Sequence, residues 1–302
     1  MQLFKTVLGD IQENEVGSTL VHEHICCYSE YLYQMSGKSY LDKEQLVSIS
    51  SRYLTELKGK YGLNTFIDCT PVNIGRDIDL LKAVSKKAGV HIISSTGFYY
   101  TQEPLLYNTP IDLLTEHIVA DAKNTNAGII KCAVENELIS AFDEKVLRAA
   151  AKAQLKLQLP VILHTHANNK NGLQALAVLL SEGVKPQAIT VGHLSDTDDL
   201  EYIKQIAEHG CYIGFDRLYC NKSEQYISNT VDKIISLCGF GYANQLLLSH
   251  DALFFNGFET EPEINKTPRF SFVFDCILPL LPNNTAELLI KHNPIAMLKC
   301  GE

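Results

Sequence analysis

The sequence predicts an α/β fold in which eight parallel strands, each followed by a helix, close into a (β/α)8 barrel. Three observations carry this. Short runs rich in β-branched residues recur along the 302 residues with helically spaced stretches between them. Eight such strand and helix units imply a parallel sheet, and they suit a closed barrel better than an open, doubly wound one. Polar residues interrupt the apolar runs at their carboxyl ends, which is where a barrel carries its chemistry. Apolar runs are spread evenly, so residues 1–302 read as a single domain.

The first run, Ser18 to His24, ends in His22-Glu-His24. Residues two apart on a strand point the same way, so both imidazoles project together. A helix follows over Lys43 to Lys60. The second run, Thr65 to Cys69, leads to a helix from Asp77 to Ala88 that Gly89 ends, and the third, His91 to Gly97, leads to one from Ile111 to Asn126. Gly128 to Val134 forms the fourth and carries Lys131. The helix after it shows the clearest spacing, since Val146, Ala149, Ala150, Ala153 and Leu157 within Asp143 to Leu157 share a face; Pro160 then bars continuation. The fifth run, Val161 to Thr165, brings His164 and precedes a helix from Asn171 to Glu182. The sixth, Ile189 to Leu194, brings His193 and precedes one from Asp198 to His209. The seventh spans Cys211 to Asp216, and the eighth, Leu246 to Asp251, ends in Asp251.

Charge and composition exclude several classes of function. Twenty-six basic residues against 35 acidic ones give a net charge of −9, and no Lys/Arg stripe is present to neutralise a phosphate backbone, so nucleic acid is not expected as a partner. No apolar run reaches the roughly 18 residues of a membrane span, and the start, Met1-Gln-Leu-Phe-Lys-Thr-Val, lacks a basic segment followed by a long apolar one; a cytoplasmic location without membrane contact is the expectation. Nine cysteines with no CxxC form neither a zinc nor a disulfide framework, and most of them read as small core residues. There is no GxSxG elbow and no GxxxxGK loop.

A lone histidine on an apolar strand is ordinarily a hydrogen-bonded core residue. That reading stands for His91, His117, His166, His209, His250 and His292. Four histidines, one lysine and one aspartate converging on one barrel mouth, namely His22, His24, His164, His193, Lys131 and Asp251, read instead as a metal-binding constellation.

Through His22-Glu-His24, Gly128-Ile-Ile-Lys131, His164-Thr, Gly192-His-Leu-Ser-Asp196, Gly214-Phe-Asp-Arg217 and Ser249-His-Asp251, in that order, the chain resembles the phosphotriesterase family of the amidohydrolase superfamily. The match runs from Thr6-Val-Leu-Gly to Asn293-Pro. The resemblance implies an amidohydrolase-type TIM barrel with two divalent metals. His22, His24 and Asp251 would hold the more buried one, His164 and His193 the other, and Lys131 would bridge them as a carbamate, N6-carboxylysine. A desolvated lysine beside metal charge loses its proton and becomes nucleophilic enough to trap carbon dioxide, which turns a cation into a bridging anion. Zinc is the first expectation, and manganese, cobalt or iron suit the same ligands. Two such metals deprotonate a shared water and polarise the electrophile. Asp251 would take the hydroxide's proton and pass it to the leaving oxygen. Glu135 shares Lys131's pleat parity and is the alternative bridge, but Lys131 ends the Gly-Ile-Ile run itself.

Three further positions resemble family members that open lactones. Tyr99 would hydrogen-bond the carbonyl or leaving oxygen, or else be an aromatic rim residue. Arg217 would orient a ring oxygen or an anionic substituent. Asp216 would hold Arg217 or relay a proton from Asp251, unless the two simply pair at the rim. The basic or histidine side chain that extends the relay in organophosphate-hydrolysing members has no counterpart in Ser228-Asn-Thr-Val-Asp232. A small lactone is therefore the expected substrate. If Lys222, Lys266 and Arg269 bind an anion, a phosphorylated sugar lactone fits; if they are solvated surface charge, the apolar Leu253-Phe-Phe-Asn-Gly-Phe258 loop suits a more hydrophobic one. A phosphoric ester or triester hydrolase using the same site is the alternative enzyme, and a decayed metal-binding barrel the alternative that is no enzyme. Apolar residues on exposed loops leave room for a homodimer.

Overall fold

The computed structural model describes residues 2–101, 104–218, 223–266 and 269–299. A hairpin opens the chain: β1 (Leu3–Thr6) pairs antiparallel with β2 (Gly9–Gln12). Eight strand and helix units follow. The strands are β3 (Ser18–Cys27), β4 (Leu63–Asp68), β5 (His91–Gly97), β6 (Ile129–Ala133), β7 (Val161–His164), β8 (Ile189–Val191), β9 (Tyr212–Phe215) and β10 (Leu246–Leu248). A further strand, β11 (Leu253–Asn256), comes directly after β10. All nine run parallel in the order β10-β9-β8-β7-β6-β5-β4-β3-β11.

The two ends of that order are consecutive in sequence, and this closes the barrel. The segment Leu246–Asn256 is one strand divided between two neighbours: its first part pairs with β9, Leu246 against Ile213, and its second with β3, Leu253 against His24. Across the join, the Asp251 N–H donates to the His22 carbonyl and the His24 N–H to the Ala252 carbonyl, both at 3.0 Å. The expected eighth strand ran unbroken to Asp251, and residues 253–258 were expected as loop. Instead Asp251 has φ 51, a left-handed conformation that ends one pairing and allows the next.

Between the strands lie α1 (Lys43–Tyr61), α2 (Ile78–Ala88), α3 (Ile111–Thr125), α4 (Ala141–Leu157), α5 (Gly172–Ser181), α6 (Leu200–Glu208) and α7 (Glu224–Gly239). The C-terminal helical stretch, Asn283 to Leu298, fills the eighth position. Residues expected to begin helices are in several cases their caps. Asp77 accepts from Leu80 N–H; Asp199, one residue after the expected start at Asp198, accepts from Tyr202 N–H; and Ser140 and Asp143 form a reciprocal capping box that starts α4 two residues early.

Two separate cores result. Leu20, Phe66, Ile92, Leu163 and Phe215 pack outward against the helices. Val21, Ile67, Ile93, Ile129, Ile162 and Leu247 fill the barrel interior. Phe4, Ile11 and Val16 from the amino-terminal segment and Met297 and Leu298 from the C-terminal helix seal this interior. With the plug in place, the open space lies at the opposite, carboxyl ends of the strands. No helix among the described residues is long and apolar enough to cross a membrane.

Candidate metal centre and active site

A cavity of about 430 Å3 occupies the carboxyl ends of the strands, and His22, His24, Lys131, His164, Arg217 and Asp251 line it. The strands position these residues by different means. In β3 the register against β4 slips between Leu20 and Glu23. Val21 packs in the interior core, and the slip lets His22 face inward as well, with His24 beside it. Lys131 and His164 lie on the inward faces of β6 and β7, two residues beyond Ile129 and Ile162. His193 and Asp251 both have left-handed backbones, φ 65 and φ 51. Non-glycine residues hold that conformation at a cost of about 1–3 kcal/mol, and such strain collects at functional sites.

Each imidazole has one nitrogen committed from behind, which leaves the other turned toward the strand ends. Asp216 takes both His22 Nδ1, at 2.6 Å, and His193 Nδ1, at 3.0 Å, and also accepts from the His193 N–H. The Thr70 hydroxyl donates to the Cys26 carbonyl and so accepts from His24 Nδ1 at 2.8 Å. Glu135 takes His164 Nε2 at 2.9 Å. That leaves Nε2 of His22, His24 and His193 and Nδ1 of His164 as ligating atoms.

These atoms converge. Asp251 Oδ1 lies 3.0 Å from His24 Nε2 and 3.6 Å from His22 Nε2, and Lys131 Nζ lies 2.6 Å from His22 Nε2. His193 Nε2 and His164 Nδ1 face one another at 2.7 Å. Two lone pairs aimed at each other repel unless a cation sits between or beside them, so the donor set fits a metal at each place. His22, His193 and Asp216 also bring three ligating atoms together, but theirs are already joined as N–H to carboxylate hydrogen bonds.

Electrostatics agree. Burial, reinforced by Lys131, lowers His22 to about 3, and burial with His193 and Lys131 holds His164 well below the ordinary range. Both rings are neutral at pH 7, the form a metal would need. For His24 the largest effect, burial, opposes charge, but Cys27 and Asp251 outweigh it and lift the ring to about 10. His24 thus keeps a proton that a metal would replace. Burial alone would raise Asp216 and Asp251; the surrounding histidines outweigh it and hold both carboxylates below their usual range.

The expected residues fall as follows. His22, His24, Lys131, His164, His193 and Asp251 meet at one mouth. Asp216 does so from behind: its oxygens hold His22 and His193 and not Arg217, whose side chain donates to Asp251 Oδ2, 2.8 Å from Nε, and to Asp196, 3.1 Å from Nη1. Tyr99 packs edge-on against the His164 ring, with centroids 5.0 Å apart. Burial, with Tyr100 and Asp251 nearby, pushes its hydroxyl upward, so it remains a donor at neutral pH. Glu135 lies beyond the end of β6 and holds His164, while Lys131 occupies the interior. Lys266 and Arg269 line a neighbouring groove that also contains Glu259, Glu261 and Glu263; Lys222 lies outside the described residues. Ser228–Asp232 belongs to α7, and Leu253 and Phe258 form an apolar side of the cavity.

Sequence reasoning missed the supports. Glu23, fully buried, accepts from Ser249 Oγ, His250 N–H, His250 Nδ1 and Ala252 N–H, clamping the turn that presents Asp251. An acid between two histidines in an apolar run was the available signal. Gly192 and Gly214 make room for the Asp216 carboxylate, since a Cβ on either would lie 3.0 or 2.8 Å from its Oδ2.

A family model described as the phosphotriesterase family matches residues 2–286. The chain belongs to the phosphotriesterase family. Among its phosphotriesterase-family relatives, an aryldialkylphosphatase from Saccharolobus solfataricus is 31% identical over 302 aligned residues, covering 94% of this chain and 95% of its own. A phosphotriesterase homology protein from Mycobacterium tuberculosis is 29% identical over 278 residues, 87% of this chain and 84% of its own. An N-acetyltaurine hydrolase from Bos taurus is 27% identical over 295 residues, 82% and 83% of the two chains. The relatives' names describe hydrolases, and the family's metal dependence accords with the donor set.

Proposed function

We propose that this chain is a binuclear metal-dependent hydrolase that opens small lactones. One observation carries the reading: the free nitrogens of four imidazoles, Asp251 and Lys131 converge at the strand ends, each imidazole oriented from behind. His22, His24 and Asp251 would hold one metal and His164 and His193 the other, with Lys131, carboxylated on Nζ, between them. Zinc suits this mix of nitrogen and oxygen ligands, as do manganese, cobalt and iron. Bound there, the metal pair supplies a deprotonated water at neutral pH and a Lewis acid for the carbonyl oxygen.

The chain's own residues do the rest. Asp251 takes the proton of the attacking water and delivers it to the leaving alkoxide, so the acid and the new alcohol part as one chain. Arg217 Nε–H fixes the orientation of Asp251 through Oδ2 and places a cation beside the ring oxygen. The Tyr99 hydroxyl donates from the opposite side, and Leu253 and Phe258 exclude water from the substrate's carbon skeleton.

The names of the relatives divide between a phosphatase and an amide-type hydrolase, so family membership alone does not choose the electrophile. The test is the purified protein's metal content by mass spectrometry together with kcat/KM for a γ-lactone panel and for an aryl dialkyl phosphate. A lactone preference of roughly a hundredfold, near 3 kcal/mol of transition-state stabilisation, is expected. A preference for the phosphate triester would replace this reading with its alternative.

A further inference from the structure

A second cavity, of about 340 Å3, adjoins the metal cavity, and Arg217 is common to both walls. Its other walls come from the loops after β7 and β8 and from α7: His166, Asn168, Asp196, Asn229, Thr230 and Lys233 take part. The charges there are already matched. Arg217 holds Asp251 and Asp196, and the Lys233 ammonium donates to the Ser195 and Thr197 carbonyls and to Asp198.

What remains toward the space is neutral hydrogen-bonding capacity. Thr230 is 2% exposed, and its hydroxyl has no partner among the described residues. His166 Nδ1 accepts from the Asn169 N–H, which leaves Nε2–H as a donor. Asn229 Oδ1 accepts from Gln225, leaving its amide hydrogens, and the Asn168 amide has no partner among the described residues. The Thr230 hydroxyl is not among the buried polar atoms left unpaired, so it opens onto this space and offers both a donor and an acceptor to a ligand there. The carboxylates of Asp196 and Asp198 in the wall disfavour an anion, and the scarcity of apolar side chains disfavours a hydrocarbon.

We propose that this cavity binds a neutral, polyhydroxylated part of the substrate, extending past Arg217 from the carbonyl at the metal centre. The reaction chemistry of this assignment rests on the lactone reading above; the binding chemistry does not.

The test compares ribonolactone, which carries hydroxyls, with γ-butyrolactone, which carries none, in the metal-loaded enzyme. Thr230→Val and Asn229→Leu are each expected to lower the ratio of the two kcat/KM values about tenfold, the equivalent of one hydrogen bond, and Thr230→Ser to restore it. A ratio unmoved by both changes overturns the assignment. Should neither lactone be opened, calorimetric titration with xylitol decides: binding that Thr230→Val weakens about tenfold leaves the cavity assignment standing while the lactone reading falls. No xylitol binding, or binding indifferent to Thr230, overturns it.

Discussion

His22 and His193, assigned to different metals in the proposed reading, give their Nδ1 protons to the same carboxylate. Asp216→Asn removes one acceptor from this pair and turns an acceptor oxygen into a donor, so one imidazole loses its orientation and tautomer. Metal affinity should fall by about 10–100-fold, the usual effect of losing such a support, as read by competition with a chelator. Unchanged affinity would show that packing alone sets the rings. That these residues would meet was legible because a histidine or lysine at the end of an apolar β-rich run stands out from its neighbours. The role of Asp216 was not legible: its adjacency to Arg217 suggested a local pair, whereas its partners lie 23 and 194 residues away. Nothing in a linear pattern points from Asp216 to His22.

At the scale of elements, the strands depend on a few glycines where backbones nearly touch. Gly97, at φ 97 and paired with Lys131, would place a Cβ 2.0 Å from the Lys131 carbonyl oxygen. Gly97→Ala must therefore push β5 away from the strand that carries Lys131. A loss of about 3 kcal/mol is expected, from overpacking and a left-handed backbone together, measured as a lower urea midpoint at constant slope. A loss under half of that would mean the pairing yields easily. Helix positions were legible from apolar spacing, as in α4, where Val146, Ala149, Ala150 and Ala153 are buried. Their first residues were not, because Asp77 and Asp199 belong to the helix by hydrogen bond and not by conformation. The division of the eighth strand was hidden too: Ser249-His-Asp251-Ala continues an apolar run without a glycine or proline to mark the turn.

Across the whole molecule, five of the seven described cysteines, Cys26, Cys27, Cys69, Cys132 and Cys211, are buried small core groups, as the composition suggested for most of them, and burial raises the thiols of Cys132 and Cys211 to about 12. The sign of the linkage follows. The unfolded chain ionises these thiols near pH 9 while the fold keeps them protonated, so their contribution is intact below pH 9 and is lost as pH rises toward 12. Stability by urea titration should decline over that window, and at pH 8 iodoacetamide should modify neither thiol until the protein is unfolded. Native labelling at either position would contradict their burial. Barrel closure, too, was legible as a count of eight, while the hairpin and C-terminal plug were not, since Phe4, Ile11 and Met297 are isolated apolar residues in unpatterned segments. The seam of the barrel has one more consequence. Its two hydrogen bonds join the peptides of His22, His24 and Asp251, so the weld of the cylinder and the candidate grip on a cation are a single joint. Deuterium uptake at the His24 and Asp251 amides should slow on metal loading, while the β4–β5 ladder exchanges as before; without a cation the cylinder would unzip first at the joint that carries Asp251.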